Sequence, residues 1–160
     1  MDLTTIGVKL GYAVATTNGT KPTAFTWLER CKSIGGISLS QETIDVTALE
    51  DYIMKYAEGR ADTGGSWELV FGVNDKVVTA LEKMLAAAKT AKESNKEIWW
   101  DVWFPGLQKS FYVVATPGTK VALPEIGGGS PAEFPVSLTV NEYIGLDTAV
   151  EPKAATTTGE

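Results

Sequence analysis

Apolar and polar residues alternate with a period of two from residue 6 to 14: Ile6, Val8, Leu10, Tyr12 and Val14 stand against Gly7, Lys9, Gly11 and Ala13. Successive side chains of a strand point to opposite faces, so this predicts a half-buried β-strand. The Asn18-Gly19 pair that follows is a hairpin signal. Beyond it, "AFTWLERC" predicts a second strand with Phe25, Trp27 and Cys31 on one side. In "GGISLSQETIDVT" the apolar phase changes from Ile37 and Leu39 to Ile44 and Val46, with Gln41 at the change. That predicts a third strand with a bulge. "SWELVFGV" alternates again, with Trp67, Leu69, Phe71 and Val73 on one face.

One segment has a different period. Val77, Val78, Leu81, Met84, Leu85 and Ala88 recur at the spacing of an amphipathic helix, predicted over about 75–94. Asn74 or Asp75 is placed to cap it, and lysines gather toward its end, where the helix dipole favours them. "KEIWWDVWF", "SFYVVAT" and "FPVSLTVNEYIG" then predict three more strands from their β-branched and aromatic content. The fold class is therefore mainly β, an antiparallel sandwich or barrel-like domain with one α-helix. Between the third and fourth strands, about residues 47–66 follow neither period and are predicted as a long loop. Irregular connections longer than roughly 12–15 residues are uncommon in compact domains unless they are functional or disordered. The β domain is assigned to 1–147. The low-complexity end, 148–160, is assigned to a C-terminal extension that a neighbouring copy is expected to hold.

Composition narrows the function. The chain has 160 residues, 44% of them hydrophobic, which suits a single domain with a real core. A formal net charge of -6 argues against a phosphate-neutralising surface and disfavours stable nucleic-acid binding. Cys31 is the single cysteine, so no intramolecular disulfide can form. With no basic and apolar leader at the N-terminus, synthesis in a reducing cytoplasm is expected. No apolar run approaches the roughly 20 residues that cross a bilayer as a helix, and no membrane partner is expected.

Histidine is absent, which removes the commonest general base and metal ligand together. No enzyme activity, cofactor or metal is expected. Cys31, on the apolar phase of its strand, is expected to be a structural thiol. In "EIWWDVWF", Ile98, Trp100, Val102 and Phe104 form an apolar face opposite Glu97, Trp99, Asp101 and Trp103. Glu97 and Asp101 are about 13 Å apart along a strand, too far for a glycosidase pair. A carbohydrate-binding sandwich using Trp99 and Trp103 is nevertheless an alternative; otherwise these rings pack against the helix or another subunit. Glu42, Asp45, Glu50, Asp51, Glu58 and Asp62 do not have the spacing of a calcium loop and are expected as solvated or interface charge.

The order of these features resembles the major tail tube proteins of long-tailed bacteriophages. The resemblance is carried by Ile44, Asp45, Val46, Thr47 and Leu49, then Gly59, Asp62 and Gly64, then Trp67, Leu69 and Phe71, followed by the single helix. "ATPGTKVALPEI" and "PVSLTV" are similar to that family's C-terminal half. The resemblance implies a structural virion protein, synthesised in the host bacterial cytoplasm and located in the virion tail. Its copies would form hexameric rings with a continuous inner β-barrel, stacked into a tube through which DNA passes. It further implies contacts with itself and with tape measure, terminator and baseplate or tip proteins. The interface would be the long loop, with Asp45, Thr47, Leu49, Tyr52, Ile53, Tyr56, Arg60 and Asp62.

Overall fold

The computed structural model describes residues 4, 6–62 and 64–154. Among these residues there are nine strands: β1 (Lys9–Val14), β2 (Thr26–Leu28), β3 (Cys31–Ile34), β4 (Ser40–Asp45), β5 (Tyr56–Asp62), β6 (Ser66–Gly72), β7 (Ile98–Trp103), β8 (Lys109–Pro117) and β9 (Glu133–Thr148). The helix, α1, runs Asp75–Glu93 as the periodicity predicts. Its cap is Asn74, whose Oδ1 accepts the Val77 N–H at 2.9 Å.

Seven strands form one antiparallel sheet in the order β2-β1-β7-β8-β9-β6-β3. The edges of this sheet are β2 and β3, yet only Glu29 and Arg30 separate them in the chain. Leu28 and Cys31 can then be no more than about 11 Å apart, so the sheet curls until its two edge strands come together at that turn. That is the barrel-like form expected, without hydrogen-bonded closure. The single strand expected through "AFTWLERC" is instead two. Arg30 takes a left-handed φ of 64° and turns the chain, so that Trp27 pairs with β1 and Cys31 with β6.

Inside the roll, one cluster joins Leu10, Leu28, Trp67, Leu69, Phe71, Trp100, Val113 and Leu138 to Val77, Leu81, Met84, Ala88 and Ala91 of α1. Trp67 meets Trp100 edge-on at 6.1 Å, and the Trp100 indole donates to the Ala115 carbonyl at 3.0 Å. β9 has 16 residues and serves two neighbours, pairing β6 with its first half and β8 with its second. Register shifts between Tyr112 and Val113 and between Val114 and Ala115, with Gly145 at φ 88°, mark bulges in the β8–β9 pairing.

A smaller cluster on the other face of the sheet holds Ala15, Phe25, Trp99, Tyr112 and Val114. The described part of the C-terminal extension covers it. Trp27 N–H donates to Lys153 O at 2.7 Å, Lys153 N–H donates to Phe25 O at 3.0 Å, and Pro152 is buried against Gly11. Residues 149–154 are thus strapped to their own chain, while 155–160 lie outside the described residues. The strap also corrects the reading of β7. Trp99 is only 3% exposed and Asp101 is fully buried, so the strand is covered on both faces. A sugar platform built on Trp99 is overturned. Trp103, half-buried, lies beneath the Lys9 ammonium at 5.4 Å. Cys31 is half-buried and its burial pushes the thiol up to about 11.

Candidate assembly interface

The segment expected as a loop over 47–66 is irregular up to Lys55, as expected, but its second part is the return strand of a β-hairpin. Tyr56–Asp62 is a strand, β5, that pairs with β4 and with no strand of the main sheet. Its alternation was illegible because the hairpin faces no core: every residue of β4 is exposed. The bulge expected at Gln41 falls between Gln41 and Thr43. Gly59 sits there because a Cβ would meet Glu42 Cβ and O at 3.0 Å.

The arm ends in a hydrogen-bonded turn. Val46 N–H donates to Lys55 O at 3.0 Å, and the Thr47 hydroxyl both donates to Lys55 O at 3.2 Å and accepts Lys55 N–H at 2.8 Å. The Asp45 carboxylate accepts the Thr47 N–H at 2.9 Å, and bonds from Thr47 hold its pKa below the ordinary range. Asp51 accepts the Ala48 N–H at 2.9 Å and lies 3.0 Å from Lys55 Nζ; these two, the amide first, lower its pKa as well. Asp45, Thr47 and Asp51 therefore shape the turn.

What the turn presents is apolar. Leu49 is 108% exposed, Tyr52 104% and Ile53 79%. Met54 and Tyr56 continue the patch, the Tyr56 hydroxyl lying 3.4 Å from the Met54 sulfur. Of the expected interface residues, Asp45, Thr47, Leu49, Tyr52, Ile53 and Tyr56 are together at the tip. Arg60 and Asp62 are not: β5 carries them toward the root, where Asp62 pairs with Ser40 and accepts Gly64 N–H at 2.9 Å. Asp62 is six residue steps along the strand from Tyr56, about 20 Å. The expected interface set did not include Ile44, Val46 and Met54, also exposed on the arm. The signal for Ile44 and Val46 was the apolar phase that changes at Gln41, beyond which no core receives it. Among the described residues no group of three His, Cys, Asp or Glu is placed to hold a metal.

No protein-family model and no curated protein matches the chain. Solved structures do. A chain in the tail of an empty GTA particle, computed with helical refinement and C6 symmetry, matches with a TM-score of 0.50 and 14% identity, over 88% of this chain and 96% of that one. A chain of the anti-feeding prophage baseplate, 6-fold symmetrised, gives a TM-score of 0.47 and 10% identity over 93% and 97%. The fold expected from the sequence pattern, mainly antiparallel β with one helix, is the fold found, and the chain of the GTA particle tail shares it over nearly its whole length.

Proposed function

We propose that this chain is a structural subunit of a phage-like tail tube, assembling with itself into stacked hexameric rings through which DNA passes. The observation that carries the reading is the arm: a two-stranded hairpin with Leu49, Tyr52, Ile53, Met54 and Tyr56 displayed to solvent. Contiguous exposed apolar surface marks an interaction site, and a subunit that cannot bury these side chains itself buries them on another. Six-fold order is carried over from the C6 tail whose chain shares this fold. At -6 per copy, a ring of six has a charge of about -36, which suits a conduit that DNA must slide along without sticking.

Electron microscopy of the purified protein tests this. Rings or tubes are expected from the wild type, and a folded monomer from a Leu49→Asp, Tyr52→Asp, Ile53→Asp variant with unchanged far-UV circular dichroism. A wild type that stays monomeric at every concentration, or a triple variant that still forms rings, would sink the proposal.

A further inference from the structure

The rolled sheet leaves a cleft of about 490 Å³ on the side where edge strand β3 faces the β7–β8 corner. Its walls include Val8, Ile34, Trp67, Val102, Phe104 and Phe111, and Cys31 also lines it. Among the described residues that line it, Lys32 alone is charged. The volume lies in the range of about 300–1,000 Å³ typical of sites that engulf a ligand, and the lining is what an aromatic or aliphatic anchor requires. The cleft wall continues through Gly35, Gly36 and Ile37, and β4 begins three residues later at Ser40, so the arm leaves the subunit close to the cleft.

We propose that the cleft receives the arm tip of a second copy of this chain, with Leu49, Tyr52 and Ile53 as anchors and Glu50 meeting Lys32. The inference rests on the reading of the arm as an intercopy contact and adds the site that receives it. Three features select this occupant. The tip displays large apolar side chains that its own chain leaves exposed. The charge is compatible, since Glu50 is exposed beside those anchors and the Lys32 ammonium on the cleft wall is held only by an exposed ion pair with Glu133 at 3.6 Å, a weak contact that a second carboxylate can share. And the contact is head-to-tail: each copy offers an arm and a cleft, so it propagates into a closed ring or a continuing stack, as a heterologous contact must.

Cys31, the native cysteine of the cleft, makes the test direct. Leu49→Cys is introduced alone and, separately, with Cys31→Ser, and the assembled protein is oxidised with copper phenanthroline and run without reductant. Tyr52→Cys and Ile53→Cys repeat the measurement in case residue 49 is misaligned for the bond. A Cys31 link joins each copy to the next, so a ladder of dimer, trimer and higher species is expected, and Cys31→Ser should abolish it. A symmetric link between two arm cysteines stops at the dimer and survives Cys31→Ser. Dimers of that kind without a ladder, or a monomer linked internally from arm to own cleft, would overturn the proposal. Micrographs of the same samples separate the two readings: rings or tubes without the ladder overturn the cleft alone, and monomers throughout overturn both.

Discussion

Asp101 stands in the middle of β7 with Gly11 and Tyr112 as its register partners, fully buried. Neither carboxylate oxygen has a hydrogen-bond partner among the described residues, nor does the neighbouring Ser110 Oγ. The Lys21 ammonium is engaged elsewhere, bonded to Thr148 O at 3.0 Å, 3.6 Å from Asp147 and over the Tyr112 ring at 4.8 Å. Burial pushes the Asp101 carboxyl up to about 7, against smaller pulls from Ser110 and Lys21. Tyr112 rises to about 12, through burial first and the Asp101 charge second. Because the native carboxyl binds its proton more tightly than the unfolded one, stability falls as pH rises from about 4 to about 7 and levels off above. We expect this residue to cost about 1–3 kcal/mol by pH 8 or so relative to pH 4. Asp45, Asp51 and Asp147, whose pKa values are lowered, act in the opposite sense, so the measurement is the difference between wild type and Asp101→Asn in urea unfolding. Asn should gain on wild type as pH rises; a constant difference would show that Asp101 is not the group titrating. Alternation with Trp100 and Val102 makes Asp101 look solvent-facing, and the strap that hides it comes from residues about 50 positions later. Local periodicity holds no trace of a cover that distant.

At the scale of elements, β1, β6, β7, β8, β9 and α1 were legible because each borders the core, which imposes its period of two or 3.6 on the residue pattern. β5 was not legible: Tyr56, Glu58 and Arg60 alternate with Ala57, Gly59 and Ala61, but no core sorts them by polarity. The break between β2 and β3 was hidden as well, since Arg30 adopts its left-handed turn without the Gly or Asn that usually announces one. The strap has one sequence feature that makes sense only in three dimensions, Gly11. A Cβ there would meet Pro152 Cβ at 2.7 Å and Cγ at 2.9 Å, and Phe25 Cβ at 3.0 Å. Gly11→Ala should push the strap away from the sheet at a cost of about 1–3 kcal/mol, the range for overpacking. Hydrogen exchange should then be faster at the Trp27 and Lys153 amides, which bond across that contact. An unchanged melting temperature with both amides still protected would mean that the strap does not seal this face.

For the whole molecule, the rolled sheet and the arm handle their strand edges in opposite ways. Curling brings β2 and β3 together at the Glu29-Arg30 turn, and the strap's parallel bridge from Lys153 to Thr26 covers part of the β2 edge. The arm has no such cover: β4 and β5 pair only with each other, and an isolated two-stranded hairpin is at best marginally stable in water. An arm that is to persist needs strands or apolar surface from outside its own subunit, which ties its local stability to assembly. Hydrogen–deuterium exchange on dilute monomer should therefore show the amides of Ser40–Asp45 and Tyr56–Asp62 exchanging orders of magnitude faster than those of Ile98–Trp103 and Lys109–Pro117, whose strands lie inside the sheet. In assembled protein the arm amides should approach the protection of β7 and β8. The triple Asp variant of the tip should keep the fast pattern at every concentration, because its arm finds no partner. Arm amides already as protected as β7 in dilute monomer would mean that the hairpin is stable by itself, and the coupling of arm order to assembly would then be lost.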